Sequence, residues 1–166
     1  RNGIPGSVQQ YVYLDQSADN LRDETVLVLT STKRLYISHN GGLEFFWASV
    51  DDEDVLAIVE DKYNSDHAVL LTPKDTIYVT KDRAQLFQGF KAPSRLNPKG
   101  FVPLFFHPNN TEEMIFIGET AECAQNINTP QCLSMAYLTK NGGETWVAML
   151  RDARSCDFAG ARFKTD

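Results

Sequence analysis

Three stretches of this chain repeat one pattern, and that pattern limits what the chain can fold into. Residues 36–46 read Y-I-S-H-N-G-G-L-E-F-F, residues 137–146 read Y-L-T-K-N-G-G-E-T-W, and residues 78–87 read Y-V-T-K-D-R-A-Q-L-F. In register, each carries a hydroxyl residue (Ser38, Thr80, Thr139), a side-chain acceptor (Asn40, Asp82, Asn141), a small residue (Gly42, Ala84, Gly143) and a large aromatic (Phe45, Phe87, Trp146). An apolar strand that ends in Ser or Thr and meets Asn-Gly-Gly must turn. The Asx side chain bonds nearby backbone N–H groups, and glycine accepts positive φ at little cost. The pattern is therefore a hairpin corner whose aromatic begins the returning strand, with its ring tucked back over the turn. The small third residue lets that ring sit close.

This spacing resembles the Asp-box, Ser-X-Asp-X-Gly-X-X-Trp, of sialidase-like and sortilin-like β-propellers. Two copies match all four key positions, with Asn for Asp and with Thr for Ser or Phe for Trp; the middle copy replaces Gly with Ala84. A single N-G-G turn is common in all-β chains, whereas three in register mark a repeat. The step from Tyr36 to Tyr78 is 42 residues, within the roughly 40 to 50 of a four-stranded propeller blade. The step from Tyr78 to Tyr137 is 59. Its excess falls in a Pro-, Asn- and Ser-rich linker at 91–100 and in a loop bracketed by Cys123 and Cys132.

The apolar runs between the corners read as strands. A first blade (8–50) has them at 8–14, 25–30, 34–38 and 44–50, and a second (51–90) at 55–59, 68–72, 76–80 and 86–90. A third (91–150) has them at 101–106, 114–118, 134–139 and 145–150. The run T-V-L-V-L-T at 25–30 is continuous and β-branched, as in a strand buried on both faces. Residues 1–7 form a linker, and 151–166 open a further blade or a tail. The fold class is all-β, with about three four-stranded Asp-box blades. Rings typically take four to eight such wedges, so the expectation is an arc of a larger β-propeller. The chain starts at Arg1 with no leading Met, which suits an excised or processed piece of a longer protein.

Charge and cysteines narrow the function classes. The formal net charge is −6 with no basic run, which argues against a nucleic-acid partner. No apolar run approaches the roughly 18 to 20 residues of a membrane-spanning helix. Cys123 and Cys132 bracket A-Q-N-I-N-T-P-Q and read as a disulfide clipping a loop at its base, leaving Cys156 without a partner in this chain. The alternative is a reduced protein with three ordinary thiols. No Cys-X-X-Cys spacing is present and no His lies within a few residues of a Cys, so neither a metal nor another cofactor is expected. Asn109-Asn110-Thr111 is a glycosylation sequon in a turn-rich segment. With the bracketed loop, it points to the secretory pathway.

The order of these features carries a sharper likeness. V-L-V-L-T-S-T-K-R-L-Y-I-S-H-N-G-G, F-H-P-N-N-T-E-E-M-I-F-I-G and the cysteine-bracketed loop before the third corner resemble the luminal domain of the sortilin family, in its fungal vacuolar sorting receptor form. The likeness runs from about residue 25 to residue 158. It implies a ten-bladed propeller, small cysteine-rich modules, a transmembrane helix outside this chain and a cytosolic tail. It also implies a cargo receptor that binds soluble hydrolase precursors or other peptides in the late Golgi and releases them in an endosome. The partners implied are that cargo and the remaining blades of the same receptor. No ligand-contacting residue of the family aligns to a motif here, so the ligand-binding residues stay unassigned.

The corner residues suit turn and core roles, and no catalytic residue is assigned. A sialidase-like glycan-processing propeller would need an arginine cluster, a Tyr nucleophile and a separate acid. The arginines are scattered and an Arg-Ile-Pro signature is absent. A degenerate Asp-box scaffold that binds nothing is the remaining alternative. His39, His67 and His107 lie in turns or loops, and the run Asp51, Asp52, Glu53, Asp54 reads as a solvated turn between blades.

Overall fold

The computed structural model describes residues 3–14, 24–48, 50–96, 103–124, 128 and 132–159. The polar loop expected over 15–24 (apart from Glu24), most of the cysteine-bracketed loop and residues 160–166 lie outside the described residues.

The described residues form three four-stranded sheets, each in simple sequence order. The first holds β1 (Val8–Tyr13), β2 (Val26–Thr30), β3 (Leu35–Ser38) and β4 (Phe46–Ala48). The second holds β5 (Ala57–Glu60), β6 (Ala68–Leu71), β7 (Thr76–Thr80) and β8 (Gln88–Lys91). The third holds β9 (Leu104–His107), β10 (Asn110–Glu119), β11 (Ser134–Thr139) and β12 (Val147–Arg151). These are three propeller blades. Two compact units divide the chain, Arg1–Gly89 and Phe90–Asp166.

Middle strands are covered on both faces and last strands are open, which is why the former read as unbroken apolar runs. β2, β3 and β6 are buried at every residue, whereas β12 is exposed at every residue. In the first unit one apolar layer joins two sheets: Val12, Leu27, Leu29, Leu35 and Ile37 meet Ile58, Ala68, Leu70 and Tyr78. On the other face of the first sheet, Val26, Val28 and Tyr36 are covered by Ile4 and Phe45. Polar ties reinforce the layer. Val55 N–H donates to the Lys33 carbonyl at 2.9 Å, and the Tyr78 hydroxyl donates to Asp51 Oδ2 at 3.1 Å.

In the second unit Ile115, Ile117, Ala136 and Ala153 form the core, with Phe105, Leu138, Cys156 and Phe158 against it. Gly118 is required by close approach. A Cβ there would lie 1.9 Å from Ser94 Oγ, because Leu96 bridges Gly118 and the Arg95 carbonyl accepts from Glu119 N–H.

Two strand bounds differ from expectation. The returning strand expected over 44–50 shortens to Phe46–Ala48, because Glu44 N–H is still bonded into the corner by Asn40 Oδ1. The strand expected at 114–118 begins already at Asn110, since the hairpin turn is tight and an irregularity between Asn110 and Met114 absorbs the extra residues. Of residues 151–166, expected to open a further blade or a tail, 160–166 lie outside the described residues. The described part leans on the third sheet: Asp152 N–H donates to the Ser134 carbonyl at 2.7 Å, and Ser134 Oγ donates to the Ala153 carbonyl.

Burial, then the bond to Asp51, pushes the Tyr78 phenol up to about 12 from its ordinary 10.0. Its contribution to stability is whole below the unfolded value and is lost as pH rises through the folded one. Tyr78→Phe is expected to flatten the decline in stability between about pH 10 and pH 12, read by urea unfolding at stepped pH.

Candidate functional site

Each corner is built by one hydroxyl and one Asx oxygen. Ser38 Oγ accepts from Gly42 N–H at 2.9 Å and from Asn40 N–H at 3.4 Å, and donates to Asn40 Oδ1 at 2.9 Å; Asn40 Oδ1 also accepts from Glu44 N–H at 3.0 Å. Thr80, Asp82, Ala84 and Leu86 repeat the set at 2.9, 3.4, 2.8 and 3.0 Å. Thr139, Asn141, Gly143 and Thr145 repeat it at 3.0, 3.4, 3.0 and 3.0 Å. All three hydroxyls are buried.

The middle corner, least regular in sequence, keeps every bond by holding Arg83 at φ 56° and Ala84 at φ 63° where the others have glycine. The aromatics close the corners differently. Phe45 lies against Gly42, Phe87 packs on the shared core, and Trp146 donates from Nε1 to the Gly143 carbonyl at 3.0 Å while meeting Phe116 edge-on.

A further bond repeats that no local pattern announces. The N–H after each Asx residue donates across to the segment at the start of the sheet's second strand: Gly41 to the Glu24 carbonyl and Arg83 to that of Asp66, each two residues before the strand, and Gly142 to that of Glu112 within it, at 2.9, 3.1 and 2.9 Å. In a four-strand meander the first and third connections share one end of the sheet. The second connection and the link to the next sheet take the other. The corner groups are therefore fully engaged in turn geometry at one end of each blade.

The remaining surface is more open. On β1, Tyr11 and Tyr13 are exposed and meet edge to face at 5.8 Å. Gln10 reaches from β1 to β5, where its carboxamide exchanges two hydrogen bonds with the backbone of Ile58. Past Tyr13 lies a cavity of about 320 Å³ whose walls include Glu60, Lys62 and Tyr63, with the Lys62 ammonium 4.9 Å above the Tyr63 ring.

The other predicted residues separate. His67, read only as a loop end, is fully buried with its Nδ1 2.9 Å from the Asp61 carboxylate. Asp61 also accepts from Tyr63 N–H, so this pair braces the β5–β6 loop. A buried His six residues from an Asp was the available signal. His39 sits between Thr25 and Gln85, and His107 Nδ1 accepts from Asn109 N–H at 3.1 Å. Among the described residues no group of His, Cys, Asp and Glu is arranged to hold a metal. The acidic run is a strained turn, with Asp51 at φ 49° and Asp52 at φ 55°. Arg34 stacks on Trp47, Arg83 pairs with Asp66, Arg95 with Glu119 and Arg151 with Glu122. Each of these four guanidinium groups thus has its own local partner. Cys123 and Cys132 form the disulfide. Cys156 is a free thiol, pushed up in pKa by burial. Asn109 is exposed at the β9–β10 turn.

Residues 33–166 match the Sortilin-Vps10 family model, "Sortilin, neurotensin receptor 3". The chain belongs to the Sortilin-Vps10 family. Over 161 residues, 95% of the chain, it is 37% identical to Vacuolar protein sorting/targeting protein 10 of Komagataella phaffii. It is 33% identical over 163 residues, 98% of the chain, to Vacuolar protein sorting/targeting protein PEP1 of Saccharomyces cerevisiae. The chain spans 10% of each of these relatives. Its fold is shared with an ancestral GH74 enzyme, at a TM-score of 0.55 and 16% identity over 90% of this chain and 19% of that one. Across the Sortilin-Vps10 match, the corners at Asn40, Asp82 and Asn141 are the repeated structural unit.

Gly143 has φ 105°, outside any well a Cβ residue favours. Gly143→Ala is expected to cost about 1–2 kcal/mol. Ala84→Gly releases about 1 kcal/mol of left-handed strain but loses a buried methyl of about 0.8 kcal/mol, so its urea midpoint should barely move. A large shift for Ala84→Gly, or none for Gly143→Ala, would contradict this account of the corners.

Proposed function

We propose that this chain is a ligand-binding segment of the luminal propeller of a sorting receptor. That receptor carries soluble hydrolase precursors from the late Golgi to the endosome or vacuole. The observation that carries the reading is the alignment of nearly the whole chain with the sorting/targeting proteins of yeasts. Site chemistry agrees with it. The hydroxyl and Asx groups of the corners are engaged in turns, and the arginines are distributed among separate partners. The chain acts by binding rather than catalysis and needs no cofactor. Its partners are peptide cargo and the remaining blades of the same receptor, and it meets the membrane only through a span elsewhere in that protein. Cargo is held by shape and by main-chain hydrogen bonds, as an extended segment added at a blade edge.

The test is affinity capture by the full luminal protein from secretory-pathway lysate at neutral and acidic pH, with mass spectrometry of what is retained. Hydrolase precursors held at neutral pH and released on acidification are expected. Retention of nothing proteinaceous, or competition by glycans alone, would overturn the reading in favour of a scaffold or a glycan-processing propeller.

In that compartment Asn109 carries an N-linked glycan, since its side chain stands exposed at the turn between β9 and β10. Protein from secretory cells should show Asn109 deamidated by peptide N-glycosidase in heavy-oxygen water, and Asn109→Gln should lose one glycan in mass. An unmodified Asn109 would refute the site.

A further inference from the structure

Two Asn-Gly pairs of this chain stand in corners, Asn40-Gly41 and Asn141-Gly142; a third, Asn2-Gly3, begins outside the described residues. Asn-Gly is the pair most prone to deamidation, because glycine has no side chain to obstruct its main-chain nitrogen. That nitrogen attacks Asn Cγ, the side-chain NH2 leaves with the Gly proton as ammonia, and a cyclic succinimide remains. Water then opens the ring at Cγ, which gives Asp, or at the main-chain carbonyl, which gives isoaspartate. The folded corner sets how readily each pair can begin.

The two corners share most of their restraints. In both, the Gly N–H donates to a distant carbonyl, Glu24 or Glu112, at 2.9 Å. In both, the Asn Oδ1 accepts from a hydroxyl and from a main-chain N–H. Two features differ. Asn141 Nδ2 donates to Thr145 Oγ1 at 2.9 Å, so both ends of that carboxamide are held. The equivalent residue of the first corner is Glu44, and among the described residues Asn40 Nδ2 meets no acceptor. Gly142 is buried, whereas Gly41 is exposed. The nitrogen that leaves and the nitrogen that attacks are therefore both less restrained at Asn40.

The middle corner shows what each product would do. Asp82 fills the equivalent position, and its Oδ1 accepts from the Thr80 hydroxyl at 2.8 Å and from Leu86 N–H at 3.0 Å. Aspartate at position 40 therefore keeps the corner. Isoaspartate inserts a methylene into the main chain and carries Gly42 N–H away from Ser38 Oγ, which accepts it at 2.9 Å. We propose that Asn40 is a site of spontaneous modification in the folded protein. It deamidates to an aspartyl form that keeps the first corner and an isoaspartyl form that opens it, while Thr145 protects Asn141. This holds whatever the receptor carries.

The test holds the folded full luminal protein in mildly alkaline heavy-oxygen water and follows the peptides carrying Asn40 and Asn141 by mass spectrometry. Asn40 should deamidate about 10-fold faster than Asn141, as one further hydrogen bond to break would set. In guanidinium the two rates should converge, because both sites read Asn-Gly-Gly. Thr145→Val removes an acceptor and should speed Asn141. Glu44→Thr supplies one and should slow Asn40. Amide exchange at Gly42 should quicken in the isoaspartyl fraction, isolated by isoaspartyl methyltransferase labelling, and stay slow in Asn40→Asp. Equal rates in the folded protein would overturn the proposal, as would a preference for Asn40 that survives in guanidinium or an Asn141 rate unmoved by Thr145→Val. Fast Gly42 exchange in Asn40→Asp would overturn the claim that aspartate keeps the corner.

Discussion

One buried hydroxyl per sheet determines how the rest of that sheet is arranged. Ser38, Thr80 and Thr139 each end a middle strand, and each oxygen gathers two backbone N–H groups while donating to the Asx oxygen two residues on. An N–H left buried and unpaired costs about 1–3 kcal/mol, so the corner has little freedom to adopt another shape. With the corner set, the direction of the fourth strand and the seat of the aromatic ring follow. The next N–H then reaches across to the start of the second strand. A local turn is thereby tied to a segment some seventeen to thirty residues away in the chain, as in the link from Arg83 to Asp66 and from Gly142 to Glu112.

Stacking of one sheet on the next uses a different means. The first unit joins its two sheets through aliphatic side chains that carry no directional information, and the specificity comes from a few polar links. Gln10 meets Ile58, Val55 meets Lys33, and Tyr78 meets Asp51. Two of these sit where one sheet passes to the next, and there Asp51 and Asp52 adopt left-handed backbone conformations. The acidic run is thus a mechanical joint as well as a polar surface. In a member of the Sortilin-Vps10 family, this leaves the side-chain chemistry of the corners to the scaffold.

Much of the fold was legible in order along the chain. The runs at 25–30, 76–80 and 134–139 became β2, β7 and β11 nearly residue for residue, because burial on both faces demands continuous apolar character. Edges of elements were less legible. β4 is short because Asn40 holds Glu44 in the turn, and β10 begins at Asn110 because the turn before it is tight. The closing of the β5 edge was not legible at all. Gln9 and Gln10 look alike in sequence, and only the register makes one of them a peptide mimic against Ile58.

Taken alone, the sequence determined the repeat, the corners, the disulfide pair and the all-β class, since each rests on residue types at short fixed spacing. Tertiary structure decided which groups meet across long separations. It buried His67 on Asp61, closed the edge of β5 with Gln10 and sent Cys156 and Phe158 into the third sheet's core. The physical reason is that hydrogen bonding along a turn is local, whereas burial and strand pairing depend on what the rest of the chain brings alongside.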